Sequence, residues 1–443
     1  MYLNNTIKGF SKLTKDEKLE LVASYFPDSD LAINELKTFW HPDKKTQKLF
    51  DEFSENTISN FYVPFGIAPN MMINAKNYMV PMVIEESSVI AAASSSAKFW
   101  AERGGFKSKI IATEKIGQVH FLWSGNIEKL NKHLPSLKEE LINGTKHITS
   151  RMDERGGGIT NIAIIDLTSE LKNYYQLKAT FETKNSMGAN FINSCLEEFA
   201  QILKNYISNN PDFNLEEKEC NIIMSILSNY TPNCLVETTV ECEVLRLKNA
   251  DIDMDPEVFA QKFETAVKIA QIDTHRATTH NKGIFNGIDA VALATGNDFR
   301  AIEACGHTFA ARSGKYKSLT DIAIDNNHFK YTLTIPLALG TVGGLTTLHP
   351  LAKRSLQLLG NPNAEDLMMI MSSAGLANNF GAIKSLVTKG IQQGHMKMHL
   401  FNILNQYHAT EVEKSEAREF FKEEKVSVKK VSDFLASLRQ SLH

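Results

Sequence analysis

Two adjacent carboxylates, Glu85 and Glu86, stand in PMVIEESSVIAAASSS, where the flanking residues are apolar or small. A carboxylate in such surroundings resists ionisation and can deliver a proton near neutral pH; an exposed glutamate favoured by a helix dipole is the plainer alternative. The densest polar stretch, THRATTHNKGIFNGIDAVALATGNDFRAIEA from Thr274 to Ala304, sets Arg276, Lys282, Asn286 and Asp298 between apolar positions. A lysine at the mouth of a glycine-bounded turn beside a carboxylate, Lys282 with Asp298, suits stabilising an oxyanion as a carbonyl is reduced. An ordinary ion pair between helix ends is the competing reading. SMGAN puts Gly188 at a helix entry, where backbone N–H groups can approach a pyrophosphate. It lacks the GxGxxG spacing, and glycine before a helix is often only a turn residue. His395, in GIQQGHMKMHLFNI, can act as a general acid or simply fill a helix surface.

Elements must carry these groups. Leu13 to Phe26 reads as a helix with Thr14 as N-cap and Glu17 behind it. Phe61 to Ala93 is apolar with proline and glycine punctuation, and a buried helix is predicted from about Ser88 to Arg103, stopped by Gly104 and Gly105. The texture changes at Lys107: KIIATEKIGQVHFLW reads as β, Glu128 to Asn143 as helix, and GGGITNIAIIDL as a glycine run feeding a strand. Tyr175, Leu177, Ala179 and Phe181 alternate in strand period, and Ile192 to Tyr206 keeps the three-four spacing of one helical face. After a second change near Tyr230, helices are predicted over Glu257–Gln271, Gly287–Ala294 and Asp298–Arg312, the last capped by Asn297. Phe329 to Leu337 alternates as a strand that runs into GTVGG; helices follow Pro350, and the last 50 residues form a polar helical tail.

The 443 residues allow two or three domains and a sizeable core. Lys plus Arg total 48 against Asp plus Glu 51, a net charge of −3, so no basic field marks a nucleic-acid or membrane surface as partner. No window reaches the ~18 apolar residues of a spanning helix, and the start lacks a leader pattern, so a cytoplasmic location is expected. Five cysteines without a CxxC pair argue against disulfides and thiolate zinc, and HMKMH lacks the glutamate of HExxH; no metal is expected.

In combination and order these strings resemble the hydroxymethylglutaryl-CoA reductase family in its soluble bacterial, class II form. PFGIAPNMMIN is similar to the family's PLGVAxxFxING, EESSVIAAAS to EEPSxVAAAS, SMGAN to DAMGAN, and THNKGIFNGIDAVALATGNDFRAIEA to THNKGIxNGIxAVxLATGNDxRAxEA. GTVGG with His349 and Pro350, GLANNFGAIKSL and GIQQGHMKMH complete the series, which covers nearly the whole chain.

The resemblance implies an α+β fold. Residues 1–108 and 230–388 form a large, mainly helical CoA-binding domain; 109–229 form an inserted ferredoxin-like cofactor-binding domain, and 389–443 a C-terminal helical flap. It implies reduction of HMG-CoA to mevalonate and free CoA through mevaldehyde, using two NAD(P)H, by a homodimer with its site at the subunit interface; larger assemblies of dimers are compatible with it. Glu86, Lys282, Asp298 and His395 take the catalytic positions: Lys282 on the carbonyl oxygen, Asp298 holding that ammonium charged, Glu86 supplying the proton to mevaldehyde and His395 protonating the CoA thiolate. Arg276 pairs with the free carboxylate of the substrate, Ser88 and Asn286 add hydrogen bonds, and Lys12 stands where the family has an arginine towards CoA.

Departures touch the cofactor. Asn161 replaces the aspartate of NAD-preferring relatives, and Lys184 precedes the SMGAN turn; an amide does not repel a ribose 2′-phosphate, so NADPH is favoured over NADH. Asn185, Met187, Gly188 and Asn190 are the expected cofactor contacts, with Asn185 and Ser186 departing from the family's DA, and ENVIG has become ENTIS at residues 55–59. Two rivals stand beside this reading: catabolic, NAD-dependent oxidation of mevalonate by the same residues, and a non-catalytic CoA-binding paralogue, against which the retained quartet argues.

Overall fold

The computed structural model describes residues 6–249, 252–388, 400–421, 424 and 426–441. The chain divides into two compact units, one ending at Pro64 and the other beginning at Phe65.

In the first unit, α1 (Lys15–Ala23) opens on the expected capping box: Thr14 Oγ1 accepts from the Glu17 amide, and Glu17 Oε2 accepts from the Thr14 amide at 2.7 Å. α2 (Ser29–Thr38) and α3 (Lys44–Asp51) follow, tied by Trp40 Nε1 donating to Ile58 O at 2.9 Å and by Lys15 on Asp51 at 2.6 Å.

The second unit starts with an antiparallel hairpin, β1 (Phe65–Ile73) and β2 (Lys76–Val83), turning on Asn74 and Ala75, both at positive φ. α4 (Ser87–Ala101) comes next. β3 (Lys107–Thr113) joins β8 (Cys234–Glu243), β9 (Thr320–Asp325) and β10 (His328–Pro336) in an antiparallel sheet of order β3-β8-β10-β9. Between β3 and β8 the chain builds a second sheet: β4 (Lys115–Trp123), β5 (Gly158–Asp166), β6 (Tyr174–Glu182) and β7 (Cys220–Ser228), ordered β5-β6-β4-β7. α5 (Ile127–Gly144) and α6 (Lys146–Asp153) lie between β4 and β5, and α7 (Ala189–Asn209) between β6 and β7. This is the β-α-β-β-α-β succession of split βαβ units, with its own apolar core running from Val119 to Cys220. It enters and leaves at one place, where Thr113 pairs with Cys234 and the Glu114 amide donates to Asn233 O at 3.2 Å.

The larger core gathers on α8 (Pro256–Ile272), α9 (Thr274–Ala294), α10 (Phe299–Ala310) and α13 (Ala364–Val387). α13 is buried along most of its length, and an aromatic knot of Trp100, Phe263, Phe329 and Phe380 packs beside it, with ring centroids 5.1 to 6.1 Å apart. Short α11 (Leu345–Leu348) and α12 (Pro350–Leu358) precede α13. Residues 400–406 are helical, and α14 (Glu411–Phe420) and α15 (Val428–Ser441) form a small cluster closed by Arg439 on Glu413 at 2.6 Å.

Two expectations change here. The segment read as a polar turn ahead of a short helix at Gly287 is one continuous helix, α9, of 21 residues. Its glycines serve close approach instead: a Cβ on Gly287 would stand 2.4 Å from Ala374 O, so α9 and α13 meet backbone to backbone. The N-cap of α10 is Asp298, because Asn297 is engaged elsewhere: its Oδ1 accepts from the Gly340 amide at 2.9 Å.

Candidate active site

α9 carries three of the expected residues. Asp273 caps it, accepting from the Arg276 amide at 2.9 Å, and the face bearing His280, Asn281, Ile284 and Ile288 is buried. Lys282 and Asn286, four apart, share another face. Lys282 is exposed and makes no hydrogen bond or ion pair among the described residues. Arg276 is half-buried, burial lowers its pKa, and its guanidinium has no hydrogen-bond partner among the described residues.

The expected pair of Lys282 with Asp298 is not formed. Asp298 spends Oδ1 on its own helix, accepting from the amides of Arg300 at 3.1 Å and Ala301 at 3.2 Å, and Arg300 Nη2 stands 3.1 Å from the same oxygen. Its Oδ2 has no partner among the described residues. Glu86 is likewise an N-cap, at α4, where Oε1 accepts from the Ser88 hydroxyl at 2.9 Å and from the Ser88 amide at 3.3 Å. Ser88, expected as a substrate contact, is thus bonded to the expected proton donor. α4 packs directly on α9, and α10 follows α9 after the turn at Gly296. His395 lies outside the described residues. Lys12 ends a short 3-10 turn in the first unit and is exposed.

The expected cofactor residues divide. Asn185 is built into the large body: its O accepts from the Thr341 amide at 2.8 Å and its Oδ1 from the Ala364 amide at 3.0 Å. A Cβ on Gly340 would sit 2.5 Å from the Met187 amide, so the NSMGAN loop and GTVGG touch along their backbones. Gly188 is left-handed at φ 87°, and no side chain caps α7, which leaves its first-turn N–H groups for an anion. Asn190 is exposed in that turn. Asn161 stands exposed on β5 at a register shift and does not line the cleft described next.

That cleft, about 520 Å³, lies between the two bodies of the second unit and is bordered by Lys115, Arg155, Glu182, Lys184, Asn185 and Glu365, among others. Its size suits part of a cofactor, and its cations with the uncapped α7 fit a phosphate-bearing group. Two features were not singled out from the sequence. Lys115 is 4% exposed; strand parity carried the signal, since Lys115, Gly117 and Val119 share the face against α7. Asp289 on α9 faces Glu303 on α10, with its Oδ1 buried and unpaired among the described residues, and burial next to that second carboxylate pushes its pKa up. Among the described residues no cluster of three His, Cys, Asp or Glu could hold a metal ion, all five cysteines are free and buried, and no helix is long and apolar enough to cross a membrane.

Comparison with known proteins adds the family. Residues 15–400 match the family model described as hydroxymethylglutaryl-coenzyme A reductase. The chain is 34% identical over 407 residues to the 3-hydroxy-3-methylglutaryl-coenzyme A reductase of Archaeoglobus fulgidus, spanning 90% of this chain and 87% of that one. A probable reductase of the same name from Borreliella burgdorferi is 31% identical, over 83% of this chain and 81% of its own. Among solved structures, the class II reductase of Streptococcus pneumoniae bound to NADPH in open conformations is similar at TM-score 0.71 and 33% identity, covering 87% of this chain and all of that one. On this breadth of agreement, the chain belongs to the hydroxymethylglutaryl-coenzyme A reductase family.

Proposed function

We propose that this protein reduces hydroxymethylglutaryl-CoA to mevalonate and free CoA in the mevalonate pathway, as an NAD(P)H-dependent oxidoreductase. The observation that carries the reading is α9, which presents on one face an ammonium at Lys282 and an amide at Asn286, with the guanidinium of Arg276 nearly three turns before Asn286; neither cation is engaged among the described residues. A bound reduced nicotinamide dinucleotide supplies hydride. Lys282 takes the carbonyl oxygen of the substrate and stabilises the charge that develops there. The free Oδ2 of Asp298 holds that ammonium charged in the working complex. Arg276 grips the free carboxylate of the substrate with its planar fork, and Asn286 adds a hydrogen bond. Glu86 delivers the proton in the second reduction; Ser88, already donating to its Oε1, orients it. His395 protonates the departing CoA thiolate, and Lys12 meets CoA phosphate.

In this reading residues 109–229 are the cofactor-binding insertion and 389–443 the flap, and the protein is a cytoplasmic homodimer. NADPH is the favoured cofactor: Lys184 and Arg155 both border the cleft, and they suit an added phosphate. The NADPH-bound pneumococcal neighbour supports a nicotinamide cofactor.

The test is the initial rate of cofactor oxidation with hydroxymethylglutaryl-CoA, with NADPH and NADH run side by side. Turnover with a lower KM for NADPH is expected, and Lys282→Ala should abolish it while leaving thermal unfolding unchanged. Undiminished turnover in Lys282→Ala would remove the lysine from the chemistry; no turnover by the wild-type dimer with either cofactor would sink the whole reading.

A further inference from the structure

Lys115 opens β4 on the helix-covered face of its sheet and ends at the floor of the 520 Å³ cleft. Its Nζ donates to Thr183 Oγ1 and, at 3.0 Å, to Ser186 O. An ammonium carries three donors, so one remains for the cleft. No carboxylate forms an ion pair with it among the described residues. The carboxylate whose charge acts on it, Glu182, is engaged by the Thr113 hydroxyl and, at 2.8 Å, by the Lys184 amide. Burying a cation without a counter-ion is costly, and a methionine of similar length would fill the space without that cost. The charge therefore has a use that the protein alone does not satisfy.

The surroundings identify an anion. Lys184 and Arg155 border the same cleft, against Glu182 and Glu365. The uncapped α7 starts three residues after Ser186. A dinucleotide brings phosphate oxygens in two places, its bridging pyrophosphate and, in NADPH, the ribose 2′-phosphate. Resting on the dinucleotide reading above, we propose that Lys115 is a cofactor-binding residue whose buried ammonium binds a phosphate oxygen of the dinucleotide in the cleft.

A pH signature separates this from a mere anchor for the Thr183–Ser186 turn. Burial lowers the pKa of Lys115, with Cys234 and Glu182 opposing the shift. The charged and titratable groups facing it are Glu182 on β6, Lys184 after it, Arg155 after α6, Cys234 on β8 and Glu365 on α13. Cys234 is itself pushed up to about 11 by burial and does not titrate in the window. Lys115 therefore loses its proton at lower pH than an ordinary lysine, and phosphate binding weakens as it does.

The experiment measures dissociation constants of NADPH, NADH and inorganic pyrophosphate by calorimetry on the full-length wild type, Lys115→Met and Lys115→Gln, from about pH 7 to about pH 10. Thermal unfolding of both variants checks the fold. Expected is a loss of about ten- to a hundredfold in affinity at the low end, the scale of a hydrogen bond to a charged group. The decline of affinity with pH seen in wild type should also flatten. Equal losses for the two dinucleotides assign the contact to the bridging pyrophosphate; a loss for NADPH alone assigns it to the 2′-phosphate. Unchanged affinity overturns the proposal, and so does an equal loss at every pH with the wild-type decline intact, the mark of turn anchoring. A wild type that binds pyrophosphate through Lys115 but neither dinucleotide keeps the anion site and removes the cofactor reading; binding none of the three overturns both.

Discussion

His280 sits inside the large core, its Nε2 against Thr320 Oγ1 at 2.7 Å, its carbonyl accepting from Asn379 Nδ2 at 2.7 Å, and its Nδ1 without a partner among the described residues. Burial, reinforced by Arg276, pushes its pKa down to about 3 from 6.5. The unfolded chain therefore binds the extra proton between those values, and stability present above pH 6.5 is lost as pH falls towards 3, by roughly 5 kcal/mol at most at 1.36 kcal/mol per unit. Urea unfolding at about pH 7 and about pH 4.5 should show this fall, and His280→Gln should flatten it; an equally steep fall in the variant would move the cause elsewhere. Asp289 runs the other way. Its raised pKa, caused by burial and then by Glu303, makes the folded chain the better proton binder, so stability is lost as pH rises towards the folded value. Asp289→Asn should therefore raise the melting temperature at neutral and alkaline pH; a drop would mean that the carboxyl holds a partner the amide cannot. His395→Gln should slow thioester reduction while sparing reduction of free mevaldehyde, and equal losses on both would argue for packing alone. At this scale, Lys282 and Asn286 stand out as candidates because they fall inside a long motif, and Arg276 because it lies just ahead of it. Lys115 and the Asp289–Glu303 pair do not, since each takes its character from neighbours far away in sequence.

The glycines of α9 illustrate why element boundaries were harder. Glycine in a helix interior costs about 1 kcal/mol relative to alanine, so a stretch holding Gly283 and Gly287 reads as interrupted. Packing reverses the sign: an alanine at 287 would press its Cβ against Ala374 O at 2.4 Å. Gly287→Ala is expected to lower stability by about 1–3 kcal/mol, the scale of overpacking, despite its better propensity; a rise in melting temperature would show that α9 and α13 have room to part. The hairpin of β1 and β2 was hidden by Pro69 and Pro81. A two-stranded ribbon has free edges, and the strand breaks register beside Pro69, so both prolines are accommodated. The Thr14 capping box, the alternation of β6 and the single face of α7 were plain in the sequence, because there local preference and tertiary packing agree.

Across the whole molecule, the second sheet hangs from the first by β3 and β8, neighbours in one sheet. Replacing residues 115–232 with a two-residue turn should leave a chain that still unfolds cooperatively and no longer binds a dinucleotide. Calorimetric unfolding and cofactor titration check the two halves of that expectation, and a non-cooperative product would show that the larger core depends on the NSMGAN loop docked on Thr341 and Ala364. Because the entering and leaving ends meet at Thr113 and Cys234, a single pair of crossover points in the gene brackets the whole smaller body. On the proposed reading of that body as the cofactor-binding one, it is a block that recombination between lineages can exchange without touching the residues of α4, α9 and α10.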